Sequence, residues 1–297
     1  MKVWPQAMGA FEKATGLDEA IDTVYQYFHR RSVWTLYAFA RALGRPPVQV
    51  FVAVGQGRVL GTASLALLPK AGYVFAVGTD SAYRGRGIAS RLLEQAHRAT
   101  RDRGIRWTAL DVESDNETAI RVYRRLGYEQ TARFNWYVGP TPHRTTQTAV
   151  AATEVPESRM KEVVAWVNLH QLPALLDPLP ATNRMLSHLE NVTQLPGAPK
   201  ARTWLLASSG QPAAVARGTY LPTIHTGFVL PVGWDPAISV DSLLSLASPA
   251  IDWSRSLGAT RMVVAIPGSP GAWEHVVASL GLSYAVSTTL MVRASAH

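Results

Sequence analysis

The stretch Val77-Gly-Thr-Asp-Ser-Ala-Tyr-Arg-Gly-Arg-Gly-Ile-Ala-Ser-Arg-Leu-Leu93 reads as a strand, a glycine-bearing turn and the start of a helix. Gly85 and Gly87 free the backbone for positive φ and for close approach to a ligand, while Ile88, Leu92 and Leu93 begin a helical period. A helix that starts at such a turn aims its unbonded N–H groups and positive dipole end into it, and Arg84 and Arg86 add fixed positive charge. These residues fit a phosphate cradle, and equally a tight strand-to-helix turn with incidental arginines. Residues further along the chain have to separate the two.

Thr108-Ala-Leu-Asp-Val-Glu113 predicts a second strand, and Ser114-Asp-Asn116 opens a helix over 117–126 that Gly127 ends, with Tyr128 next. Taken together, the Arg-Gly-Arg-Gly-Ile-Ala turn, the Leu-Asp-Val strand and the Asn-x-x-Ala-x-x-x-Tyr-x-x-x-Gly-Tyr helix resemble the GNAT superfamily of acyl-CoA-dependent N-acyltransferases. The resemblance runs from about residue 48 to 138 and implies an α/β fold, an α+β mixed sheet. It implies acetyl-CoA or another acyl-CoA as co-substrate, held by Val77, Thr79, Arg84, Gly85, Arg86, Gly87, Ile88, Ala89, Asn116 and Tyr123. In that family the strand ending at Thr79 splays from the next parallel strand, and the pantetheine arm enters the gap. Val77 and Thr79 match the strand positions involved, with the Thr79 N–H as donor to the thioester carbonyl.

Upstream, Leu17, Ile21, Val24 and Phe28 predict an amphipathic helix and 32–43 a second, whose Trp34, Leu36, Tyr37 and Phe39 are either acceptor-pocket lining or ordinary core. Val48 to Val54 and Arg58 to Leu68 form an expected hairpin about Gly55-Gln-Gly57. After a strand over 128–138, the Pro, Thr and Ala of residues 141–153 read as a linker.

The second half falls on the first when shifted by 154 residues: Gly258 on Gly104, Met262-Val-Val-Ala265 on Thr108-Ala-Leu-Asp111, and Leu280-Gly281-Leu282 on Leu126-Gly127-Tyr128. The expected organisation is therefore a tandem GNAT fold, two copies: a catalytic domain over 1–140, a linker over 141–153 and a degenerate domain over 154–297. Ile238-Ser-Val-Asp-Ser-Leu243 replaces the cradle and holds neither glycine nor arginine. Val277 stands for Tyr123 and Pro270 for Asn116. One acyl-CoA per chain is expected, in a monomer whose two domains pair as the subunits of a dimer would.

Charge and composition narrow the chemistry. The net charge of +8 lies wholly in the first half, where 20 Lys/Arg face 12 Asp/Glu, against 9 and 9 in the second. Such a field suits phosphates, nucleic acid or a solvated basic face. No aromatic-studded nucleic-acid motif accompanies it. The chain has no cysteine, which removes disulfides and thiolate nucleophiles, and its eight histidines show no metal-ligand spacing. No signal core or membrane-length apolar run stands out, and a cytoplasmic location is expected.

The expected reaction is direct transfer of an acyl group, acetyl above all, to a primary amine of a small molecule or peptide in a ternary complex. Asp111 and Glu113 share one face of their strand and are the candidate bases, or structural carboxylates paired to an arginine. Tyr123 is the candidate acid for the departing thiolate, or a core aromatic. An acyl-CoA-binding sensor without turnover, and an acyltransferase acting on a nucleic-acid-bound amine, are the alternatives.

Overall fold

A computed structural model describes residues 10–15, 48–67, 71–143, 152–170, 200–208, 210–235, 238–268 and 271–294. The two predicted helices within 17–43, with Trp34, Leu36, Tyr37 and Phe39, lie outside the described residues, as do most of the linker and Pro270. After a short helix α1 (Ala10–Thr15) come β1 (Val48–Gly55), β2 (Arg58–Leu67), β3 (Ala71–Thr79), α2 (Ile88–Arg101), β4 (Trp107–Glu113), α3 (Glu117–Arg125) and β5 (Glu129–Pro140). The second half runs β6 (Thr153–Glu154), α4 (Met160–His170), β7 (Lys200–Ser208), β8 (Gln211–Leu221), β9 (Thr226–Trp234), α5 (Val240–Ser256), β10 (Arg261–Pro267), α6 (Gly271–Ser279) and β11 (Ser283–Ala294).

The 154-residue shift carries the bounds of β4, α3 and β5 onto those of β10, α6 and β11 without a residue's difference. Loop conformation agrees: Gly57, Gly104 and Gly127 have positive φ, and so do Gly210, Gly258 and Gly281. A positive φ excludes most side chains, so glycines kept at matching turns reflect one backbone path used twice.

Two compact units result, and they do not follow the expected linear boundaries at 140 and 154. Among the described residues the first unit comprises 10–13, 48–131 and 288–294, and the second comprises 14–15 and those within 132–287. The chain changes unit inside β5 and again inside β11, so each half's last strand closes the sheet of the other. In the first unit β11 lies antiparallel to β4, with Glu113 opposite Thr288; in the second β5 lies antiparallel to β10, with Pro267 opposite Phe134. The two pairings have the same register after the shift. Two copies of one strand can exchange because each presents the same pattern to an equivalent edge.

In the first unit the strands run β1-β2-β3-β4-β11, antiparallel except for the parallel β3–β4 pair. Leu93 and Ala96 of α2 and Ile120 and Tyr123 of α3 pack over Leu65, Val74, Leu110, Val112 and Met291 on one face. In the second unit α5 and α6 cover one face through residues such as Leu246, Ile251, Trp273 and Val276, while Val163 of α4 meets Leu205 and Val215 on the other.

Candidate active site

Beyond the β3 end, Asp80 caps a 3-10 turn over Ser81–Tyr83 by accepting from the Ala82 N–H at 2.9 Å. The chain then turns through Gly85 (φ +75) and Gly87 (φ +74) into α2. A side chain at either glycine would meet no atom within 4 Å, so the backbone conformation requires glycine and the space over the turn is open. Gly87 is the N-cap residue and no side chain caps the helix, which leaves its first N–H groups to an external acceptor. Arg84 Nε donates to the Thr79 carbonyl at 3.3 Å, and Arg86 lies 5.1 Å from the Tyr83 ring centroid. An anion with several phosphate oxygens fits this turn. Its counterpart in the second unit does not: Ser239 caps α5 itself, taking the Ser242 N–H at 3.2 Å, and Asp241 stands in the first turn.

Upstream of the cradle the two parallel strands part. Paired register between β3 and β4 begins at Ala71 and Trp107 and ends at Val74 and Leu110. Between the pairs Ser64–Phe75 and Thr62–Gly78, β3 carries one residue more than β2, and Ala76 takes φ +52 in this bulge. A bulge bends its strand and breaks the ladder, and the pairing of β3 with β4 ends just before it. The Asp80 N–H reaches back to Leu60 O at 2.9 Å on β2. Since successive N–H groups point to alternate sides of a strand, that of Thr79 faces the open side.

Asp111 is the first β4 residue past the paired register. Its Oδ2 accepts from the Tyr73 hydroxyl at 2.6 Å, and Phe75 stacks beside Tyr73 with centroids 6.4 Å apart. Burial pushes the Asp111 carboxyl up to about 6, against the opposing effect of the Tyr73 hydrogen bond. Glu113 shares its strand face and is also half-buried. The hydrogen bond from Tyr73 holds the Asp111 carboxyl beside the last paired residues of β3 and β4.

Tyr123 lies on the other side of the sheet plane, 7% exposed, in the core with Leu110 and Val112. Burial pushes its phenol up to about 12, so it holds its proton throughout the neutral range. The gap between β3 and β4 is the feature that both faces share. Asn116, at the start of α3, accepts from the Ala119 N–H at 3.1 Å, so its side chain serves first as a helix cap. In the second unit Val277 and Ala265 occupy the places of Tyr123 and Asp111, both buried.

Two elements of the site were missed in the sequence. Tyr73 meets Asp111 only through a parallel register that no local pattern encodes. His97 and Tyr128, bonded behind Tyr123, could have been suspected from a histidine on the apolar face of α2, in line with Leu93 and Ala96.

The model of the acetyltransferase (GNAT) family matches residues 15–128. The chain is 32% identical over 130 residues to the N-alpha-acetyltransferase RimI of Mycobacterium tuberculosis, a match covering 42% of this chain and 80% of that one. It is 31% identical over 117 residues to a mycothiol acetyltransferase of Thermomonospora curvata, spanning 38% of this chain and only 39% of that relative. Among solved structures, a tandem GNAT protein from the clavulanic acid biosynthesis pathway superposes with a TM-score of 0.51 at 14% identity, covering 85% of each chain. The chain belongs to the GNAT acetyltransferase family. Its fold is that of a tandem member in which the first copy carries the cradle and the second has lost it.

Proposed function

We propose that the protein is an N-acetyltransferase that moves an acetyl group from acetyl-CoA to a primary amine of a small molecule or peptide, using the first unit. The observation that carries this reading is the end of β3–β4 pairing at Val74 and Leu110, with Asp111 next in line and the glycine cradle directly downstream of β3. Arg84 to Ala89 would hold the pyrophosphate, and Val77 and Thr79 the pantetheine arm. Bound acetyl-CoA supplies the activated thioester.

The chain's own residues do the rest. An alkylammonium with a pKa near that of lysine, about 10.4, costs about 4–5 kcal/mol to deprotonate at pH 7, and an acceptor for that proton at the gap lowers the demand. Asp111, largely ionised at neutral pH yet more basic than an exposed carboxylate, takes that role in preference to Glu113. The Thr79 N–H steadies negative charge developing on the thioester oxygen. Tyr123 gives its proton to the departing sulfur.

The cytoplasm, where acetyl-CoA is made, is the setting we assign. Among the described residues no helix is long and apolar enough to cross a membrane. The test is thiol release from acetyl-CoA across a panel of amines. Release that needs both an amine and intact Asp111 supports the reading; CoA binding with no turnover on any amine returns the chain to a sensor.

A further inference from the structure

Behind Tyr123 lies a buried polar pair that the reaction does not use directly. His97 of α2 and Tyr128, just past α3, are 5% and 2% exposed, and His97 Nε2 lies 2.8 Å from the Tyr128 hydroxyl. The Tyr128 ring meets the Tyr123 ring edge-on with centroids 5.9 Å apart, and the Tyr128 N–H donates to the Tyr123 carbonyl at 3.1 Å. Tyr128 therefore holds Tyr123 at both its ring and its backbone. Arg293 of β11 extends across Gly127, its Nε 3.4 Å from where a side chain there would begin.

A buried histidine and tyrosine form an expensive pair unless each satisfies the other. A phenylalanine at 128 and an aliphatic residue at 97 would fill this core without that cost. From this geometry we infer that Tyr128, anchored by His97, is a positioning residue for Tyr123, fixing its ring so that the phenol points into the gap between β3 and β4. This rests on the reading of Tyr123 as the acid. Burial together with the Arg293 and Arg101 charges holds His97 down to about 4, so the pair stays neutral at working pH. The pair is a fixed strut and takes no proton in the reaction.

Tyr128→Phe removes the hydroxyl and leaves His97 unanchored; His97→Leu does the converse; His97→Gln keeps a polar atom in reach of the Tyr128 hydroxyl. In the full-length protein, Tyr128→Phe and His97→Leu should each lower kcat about 5- to 20-fold with KM for acetyl-CoA within twofold. The double variant should be no slower than the slower single, because the two act as one unit, and His97→Gln should recover most of the loss. Selective 3-fluorotyrosine labelling gives a readout independent of turnover. The Tyr123 resonance should broaden or split in His97→Leu and sharpen again in His97→Gln.

A lowered melting temperature with unchanged kcat and an unchanged Tyr123 resonance would overturn the inference, as would additive losses. If Tyr123→Phe itself turns over normally, the acid assignment fails, and the fluorine spectrum still decides whether the pair fixes the ring. If His97→Leu does not fold, Tyr128→Phe alone, read by the same two measurements, carries the test.

Discussion

Leu290, on the last strand of the chain, stands directly opposite Asp111 on β4. The candidate base thus stands in register with a residue of the chain's second half, and the first unit is built from both halves of the chain. Leu290, Met291 and Val292 are all nearly fully buried in that unit. Each contributes about 1.5–3 kcal/mol by burial, out of a total that for a domain is only about 5–15 kcal/mol.

A chain ended after Leu282 should therefore lose acetyl-CoA binding along with its C-terminal strand, although every cradle residue remains. Calorimetry against CoA, with circular dichroism to follow folding, checks this. The same shortfall is expected of residues 1–145 expressed alone. A folded truncation with parental affinity would contradict the exchange of closing strands.

Tyr73→Phe tests the base. The lost hydrogen bond favoured the ionised carboxylate, so the Asp111 pKa should rise above about 6 and the acidic limb of kcat/KM should move to higher pH. A shift of about one unit corresponds to about 1.4 kcal/mol, at the low end for a hydrogen bond to a charged group. The acceptor amine's own pKa is common to both proteins and cancels in the comparison. An unmoved limb with Asp111→Asn inactive would mean that the limb belongs to another group.

Gly87→Asp should abolish CoA binding without unfolding the chain. The space over Gly87 is open, so the substitution costs about 1 kcal/mol of backbone strain and puts a carboxylate where phosphate would lie. Gly87→Ala carries similar strain without the charge and should bind far better than Gly87→Asp. Equal affinities would sink the cradle.

Asp111 and His97 shape acid stability in opposite directions. Asp111 is raised from 3.8 to about 6, so the stability its protonated form allows is complete below 3.8 and is lost as pH rises through 6. His97 is lowered from 6.5 to about 4, so its contribution is present above 6.5 and is lost as pH falls toward 4. Asp111→Asn should then raise the melting temperature at pH 7 and fall off more steeply on acidification than the parent, and His97→Gln should fall off less. Parallel melting curves from about pH 4.5 to 7 in all three proteins would show that neither group is shifted.

The repeat, the glycine turn into α2 and the order of elements were legible in the residues because glycines with positive φ, helix caps and apolar periods are local signals. The shift of 154 residues carried the strand and helix bounds of the second half almost unaided. The strand exchange was not legible, since β5 and β11 carry matched patterns that either sheet accepts. Nor was the contact of Asp111 with Tyr73, which depends on where β3–β4 pairing stops and on Tyr73 reaching across that register. Asn116, expected at the cofactor, also caps α3.

Transfer of radiolabelled acetyl from acetyl-CoA to amine acceptors, run side by side in the parent, Asp111→Asn and Tyr123→Phe, tests the proposed mechanism most directly. Direct transfer predicts labelled amide product with the parent, and a fall of about 100-fold or more in each variant while CoA affinity stays within a few-fold. Equal transfer in all three, or label retained on the protein in place of the amine, would contradict direct transfer by this pair of residues.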